Sequence, residues 1–349
     1  MGKDINKPER PEEHLPETAL IFRPMTEDDA EALSRCVRAC YGDTYPARDF
    51  YDPCKLRNFI QQGLLRSQIA VTQEGEVVGH LGIMLDAIGD ITADAVAGFV
   101  APGYRGSDTM FRLGVHMNII QQNLHLIGLQ LYALMLHNIT YRKTLAIGGV
   151  EAGLLPAHFP ASTRPKGFER ADEKSRIPAM FMYVPLRPAP TRTVYVPERY
   201  IDIVTNLYGR LKYARLVKKT SVGRGKGLTS ATIYRKSGMG IFQIRVQQAG
   251  DDLPGSIARF YKQARQEGYE LIYVDLPLGD TVSTSSIDDL RSLGFFYGGV
   301  VVERGGGDAL RMQGLIDATI APDEKLISSQ SGKDLLSFVL ADARDVGAI

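Results

Sequence analysis

Between residues 94 and 136 the chain reads DAVAGFVAP, GYRGSD, TMFRLGVHMNIIQQNLHLIG and LQLYALML without interruption. The first segment is strand-like and ends at Pro102, whose missing N–H cannot extend a ladder. The third carries its apolar residues at helical spacing and stops at Gly128. The fourth is a short apolar run with the length of a buried strand. Strand, glycine turn, helix, strand is a succession in which the helix needs a sheet to cover, so the chain reads as α+β.

The flanking sequence extends this pattern in both directions. ALIFRP reads as a strand, and Thr26 caps a helix over TEDDAEALSRCVRACYG with acids in its first turn. A second helix, DPCKLRNFIQQG, leads into the hairpin SQIAVTQEGEVVGHLGIMLD, which turns between Gln73 and Glu76 through Gly75. After the central segment come a short helix over 138–149, closed by Gly148 and Gly149, and the strand IPAMFMYVPLRP. LRPAPTRTVYVPE, with Pro185, Pro188, Pro190 and Pro197 in and around it, has the stiffness of a linker. Beyond it the order partly repeats: helix PERYIDIVTNLYGRLKYARL, hairpin LTSATIYRKSGMGIFQIRVQQAG, helix LPGSIARFYKQARQEG, strand YELIYVDLPL, helix SSIDDLRSLG, strand FFYGGVVVE and ALRMQGL. The expected division is a disordered N-terminal segment at 1–18, a unit at 19–187, a linker at 188–198, a second unit at 199–315 and a helical tail at 316–349. Each unit is expected to hold a mixed, mostly antiparallel sheet flanked by helices.

Charge excludes some partners. With 41 basic and 40 acidic side chains the chain has no global field to attract nucleic acid or an anionic membrane. No apolar run approaches the roughly 18 residues of a spanning helix. Cys36, Cys40 and Cys54 are an odd set without metal-ligand spacing, which fits a reducing compartment. The expected location is the cytoplasm. The histidines show no HExxH spacing, so no metal site is expected, and no GxSxG elbow points to a serine hydrolase.

The turn VAPGYRGSDTM carries the chemistry. A loop entering a helix aims several backbone N–H groups at one spot and adds the positive end of the helix dipole, and glycine lets a phosphate approach. Arg105 and Gly106 suit such a site, whereas Asp108 places an anion beside it. A rival loop, VGRGKGL at 222–228, has more glycine but leads into a strand, and it reads as a basic connection.

With its turn V-A-P-G-Y-R-G-S and the order strand, two helices, hairpin, strand, turn, helix, strand, helix, strand, the chain resembles the GCN5-related N-acetyltransferases. The resemblance covers nearly everything after residue 18, and YDPCKLRNFIQQGLLRSQIAVTQEGEVVGHLGI, LHNITYRKTLAIGGVEAGLLPAHFPAS and GDALRMQGL resemble two-domain bacterial members. It implies two tandem domains of that fold, with acetyl-coenzyme A or another acyl-coenzyme A as co-substrate. The pyrophosphate is then expected against Phe99, Val100, Tyr104, Arg105, Gly106, Ser107, Asp108, Thr109 and Met110. Asp108 and Met110 stand where the family carries glycine. The implied reaction is direct transfer of an acyl group to an amine of a small molecule or protein. His137 is the candidate base, as imidazole titrates near neutrality; Asn138 lies beside it, and Tyr141 is the nearest phenol to the family's acid, whose usual position holds Thr144. His80 and His116 read as structural. Asp86, Asp90 and Asp94 are candidates to receive a cationic amine, and Tyr41, Tyr45 and Tyr51 to line an acceptor cleft or to pack. The second unit, whose turn AGDDLP opposes two acids to any phosphate, is expected to shape substrate, lending Tyr273 and Asp275 to a shared cleft. The alternative function is a non-catalytic ligand- or partner-binding protein built from two degenerate domains.

Overall fold

A computed structural model describes residues 20–170, 172–220 and 227–349. The N-terminal segment read as disordered and most of the VGRGKGL loop lie outside the described residues. Strand β1 (Ile21–Pro24) is followed by Asp29, which accepts the Thr26 N–H at 2.8 Å and both arms of Arg23 at 2.7 Å, and this cluster starts α1 (Ala30–Tyr41). Asp52 Oδ1 then accepts the N–H groups of Cys54 (2.9 Å) and Lys55 (3.3 Å) and starts α2 (Pro53–Gln61). β2 (Leu65–Val71), β3 (Val77–Met84), β4 (Thr92–Val100), α3 (Thr109–Asn123), β5 (Gly128–Leu134), α4 (Ile139–Ala146), β6 (Val150–Phe159) and β7 (Ile177–Pro185) complete the first half.

The second half contains β8 (Arg192–Val196), α5 (Ile201–Leu211), β9 (Arg215–Lys219), β10 (Ser230–Lys236), β11 (Ile241–Gln248), α6 (Leu253–Gln266) and β12 (Leu271–Pro277). After these come α7 (Thr281–Ser285), α8 (Ile287–Ser292), β13 (Phe296–Val301), β14 (Ala309–Leu315) and α9 (Gln330–Asp345). Two sequence expectations change here. The stretch read as a linker carries β8, which pairs in parallel with β9. The helix read through residue 216 ends at Leu211, because Lys212 turns left-handed (φ 56°) and starts the chain toward β9. β6, a nearly continuous apolar run, went unread as a strand.

One mixed, mostly antiparallel sheet of 12 strands, flanked by helices, runs β1-β2-β3-β4-β5-β7-β6-β13-β14-β12-β11-β10. Within it β10 to β14 repeat the pairings of β3 to β7: antiparallel neighbours throughout except one parallel pair, β4·β5 in the first half and β11·β12 in the second. The halves meet edge to edge where Gly153 of β6 faces Gly299 of β13. A Cβ on Gly153 would lie 2.1 Å from the Gly298 carbonyl oxygen, and one on Gly299 2.5 Å from that of Ala152, so only glycine permits this backbone contact. α9 packs against both seam strands, and its Asp342 accepts from Tyr200 Oη (2.9 Å), the Tyr297 N–H (2.7 Å) and Arg291. Phe181 and Tyr183 of the first half share a buried cluster with Phe242, Tyr297 and Val339, so the halves are joined by one core.

Candidate active site between β4 and β5

β4 and β5 run parallel but pair only from Thr92–Asp94 to Gly128–Gln130. Past that point they diverge, because each is held by its other neighbour. β5 pairs with β7 along its whole length, whereas β4 stays with β3 through a bulge. At the bulge Ala97 has φ 51°, a conformation costly for a side-chain-bearing residue. His80 holds it there. Its ring is fully buried, with Nδ1 2.7 Å from the Ala97 carbonyl and Nε2 2.9 Å from Ser67 Oγ. A carbonyl can only accept, so Nδ1 carries the proton and Nε2 accepts from the serine. Burial pushes this imidazole down to about 4, keeping it neutral. His80, read as structural, thereby shapes the gap.

The turn after β4 makes a single 3₁₀ turn at Pro102–Tyr104 and then passes through Gly106 at φ 83°. No atom lies within 4 Å of where a Cβ on Gly106 would stand. Among the described residues, the N–H groups of Gly106, Ser107, Asp108, Met110 and Phe111 meet no protein acceptor, and only that of Thr109 leans on Ser107 Oγ, at 3.4 Å. Ser107 Oγ itself donates to the Tyr104 carbonyl (2.8 Å). Asp108 is exposed and does not cap the helix it precedes. Five donors at one helix head therefore stay open to an anion.

Arg105 takes a different role from the one expected. Its Nε donates to the Val100 carbonyl at 3.0 Å, Nη1 donates to the Lys166 carbonyl, and the guanidinium lies 5.5 Å over the Phe168 ring. It ties the turn to the loop between β6 and β7. The Phe99 side chain does not face the turn either: it packs on His80 (5.5 Å), Tyr45 (6.1 Å) and Tyr41 (6.4 Å). Tyr104 packs against the cluster of Ala70, Val78 and Leu113, and Met110 is half-buried in the first turn of α3.

Beyond the end of β5, His137 packs against Phe168 with the ring centroids 4.3 Å apart and the rings tilted at 45°. Phe168 thus contacts both Arg105, in the turn after β4, and His137, three residues beyond β5. His137 Nδ1 accepts the Ile139 N–H at 3.3 Å, and burial, aided by Arg105, lowers its pKa. With Nδ1 accepting, the neutral ring carries its proton on Nε2. Asn138 is the residue before α4 and its side chain makes no capping bond. Tyr141 is fully buried, donates to Glu151 Oε1 (2.7 Å) and meets Ser329 Oγ (2.7 Å) at the head of α9. Beside the β5 end lies a cavity of ≈ 220 Å³ lined by Met135, Leu136, Arg170, Asp172, Ile177 and residues of the C-terminal segment.

The other candidates are engaged by the protein. Asp86 and Asp94 were read as receivers of an amine, yet both pair with Arg304, and Asp86 also with Arg245 at 2.9 Å. Asp90 accepts the Ala87 N–H in a local turn (2.8 Å). Tyr51 Oη accepts the Tyr45 N–H and donates to the Gly42 carbonyl, both at 2.8 Å, and Tyr41 and Tyr45 pack on Phe99. Asp275 is buried against Arg311, and Tyr273 Oη lies 3.1 Å from His158 Nδ1. Sequence reading missed Phe168 and Lys166, which sit in an irregular loop with no periodicity to mark them. No helix among the described residues is long and apolar enough to cross a membrane.

No family model matches the chain, and no curated protein matches it. Among solved structures, the chain is similar to an N-acetyltransferase of Thermoplasma acidophilum in complex with coenzyme A, at 14% identity and a TM-score of 0.34, over 48% of this chain and 99% of that one. A ribosomal-protein-S5-alanine acetyltransferase from Vibrio fischeri is similar at 12% identity and a TM-score of 0.35, over 47% of this chain and 91% of that one. An aminoglycoside 6'-acetyltransferase type Ii is similar at 18% identity and a TM-score of 0.35, over 49% of this chain and 99% of that one. Solved GNAT N-acetyltransferases are thus what about half of this chain is similar to.

Proposed function

We propose that residues 19–187 bind an acyl-coenzyme A and that the chain transfers the acyl group to an amine of a small molecule or protein, while residues 199–315 hold no cofactor. The observation that supports this reading best is the parallel pair that separates after three residues, directly before a helix head whose N–H groups lack acceptors. The backbone N–H groups of Gly106, Ser107, Asp108, Met110 and Phe111 would hold the pyrophosphate, with Gly106 giving it room. A bound acyl-coenzyme A would supply a thioester; transfer forms the C–N bond, breaks C–S, and moves the amine's proton to the departing thiolate. His137, with its proton on Nε2, would donate from beyond the end of β5, either to the thioester oxygen or to the leaving sulfur. The edge of β4 beyond Asp94 has no strand partner in β5, so its N–H groups can polarise the same oxygen. The amine acceptor is assigned to the cavity beside Met135 and Leu136.

A second reading, a non-catalytic binding protein, is favoured by the Phe168 ring packed against both Arg105 and His137 and by the buried Tyr141. Thermal-shift titration with coenzyme A, acetyl-coenzyme A and longer acyl analogues separates the two. At 100 times its Kd a ligand stabilises by about 2.7 kcal/mol. A rise in melting temperature with wild type supports the transferase. Silence in wild type with a response in Phe168→Ala supports the binding protein with a closed gap, and silence in both overturns the cofactor site.

A further inference from the structure

A second cavity, lined by residues of both halves, begins at Asp94 and Gln130, where the pairing of β4 with β5 ends. Tyr132 of β5 stacks on His158 of β6 at 4.4 Å, and Arg311 of β14 reaches across to donate to Tyr132 Oη at 2.9 Å. Beside this contact lies a cavity of ≈ 50 Å³ whose charged lining is Asp86, Asp94, Lys236, Arg245, Arg304 and Arg311. That exceeds the ~10–15 Å³ one water needs and falls far below the ~300–1,000 Å³ of a whole-ligand site, so it suits a head group.

The polar inventory is unbalanced toward donors. Arg304 donates from Nε (2.8 Å) and Nη2 to Asp86 and from Nη1 to Asp94 (2.5 Å). Arg245 Nη1 donates to Asp86 (2.9 Å) and Tyr234 Oη (3.2 Å). Arg311 donates from Nε (2.7 Å) and Nη2 (2.8 Å) to Asp275, besides its bond to Tyr132. Each guanidinium has five N–H donors, so about half of the total remain unused. The acids nearest these cations are Asp86, Asp94 and Asp275, one fewer than the cations. The cation without an ion-pair partner among the described residues is Lys236, at the open edge of the cavity on β10. Arg311 is also fixed in place, with Phe181 and Tyr273 rings 5.4 and 5.3 Å from its guanidinium. A rigid pocket with surplus donors and one surplus positive charge is complementary to a group that only accepts.

We propose that this cavity between the halves binds a small oxyanion, the carboxylate or phosphate group of a soluble metabolite, with Lys236 as its charge partner. The proposal does not depend on the transferase reading. Isothermal titration of the full chain with sodium acetate and with sodium phosphate, each against sodium chloride of equal ionic strength, tests it. A saturable heat with acetate assigns a carboxylate, and one with phosphate assigns a phosphate group. In Lys236→Met the affinity falls about tenfold, in Lys236→Arg it is retained, and in Lys219→Met, on β9 and paired with Glu198, it is unchanged. No saturable heat with either anion, or equal affinity in Lys236→Met, overturns the site.

Discussion

The two halves repeat one strand–turn–helix–strand unit and end it differently. In the first, β4 and β5 pair over Thr92–Asp94 and then separate; in the second, β11 and β12 stay paired from Ile241 to Arg245. At the first turn Gly106 has open space and unpaired N–H groups around it. At the second, the corresponding volume is filled by the protein's own backbone. A Cβ on Gly250 would lie 2.3 Å from the Gly227 carbonyl oxygen, and Gly250 donates its N–H to Thr229 Oγ1 at 3.1 Å. Asp252 meanwhile accepts from the Thr229 N–H (2.6 Å) and Ser256 Oγ (2.8 Å). The same topology therefore leaves free N–H donors beside open space only where the turn is uncovered. His80 and the Ala97 bulge part the strands, and the open space around Gly106, against the backbone that crowds Gly250, leaves the turn uncovered.

Substitutions at matched positions break or sharpen this contrast. Gly250→Ala drives a methyl group into backbone and is expected to cost about 2–3 kcal/mol in chemical denaturation; a neutral result would mean that the second turn is as open as the first. The buried neutral His80 makes stability depend on pH. Its folded pKa of about 4 lies below the unfolded value of about 6.5, so the unfolded state binds the extra proton between them. Stability is full above about 6.5, falls as pH drops toward 4 and levels off below, a loss on the order of 3 kcal/mol. His158, also depressed by burial, adds in the same direction, so the comparison is the slope of wild type against His80→Gln, which should be shallower. Asp108→Asn removes the anion beside the proposed phosphate site and should tighten coenzyme A binding about tenfold by titration calorimetry, with stability almost unchanged because its side chain is exposed and makes no hydrogen bond. Gly106→Ala meets no atom but must hold φ 83°, so a loss of about 1 kcal/mol is expected in thermal melting, well short of that for Gly250→Ala.

Much of the fold was legible because its signals are local. Pro102 ended a strand and alternation marked both hairpins, each within a few residues of its cause, whereas the helix read as far as Gly128 ends at Asn123, ahead of a left-handed His125 (φ 55°), and Gly128 opens β5. The linker and the helix after it were misread for the opposite reason: β8 and β9 become strands by pairing with each other across α5, and Lys212 ends the helix with no glycine to signal it. The turn at Val100–Thr109 was located from its spelling, yet the partner of Arg105 lies in the loop at Lys166 and Phe168, which no spacing rule reaches. The contact of Tyr141 with Ser329, at the start of the last helix, is equally beyond any spacing rule.

The sequence by itself determined most of the strands and helices, though not β6, β8 or β9, and also where the glycine turn falls and that the halves partly repeat one order, since periodicity and turn chemistry act over neighbouring residues. Only the tertiary structure decided that β4 and β5 part, that Gly153 meets Gly299 to merge two sheets, and that charges from both halves surround one cavity. Periodicity says that a face is buried; which distant segment buries it depends on long-range packing that no local pattern encodes.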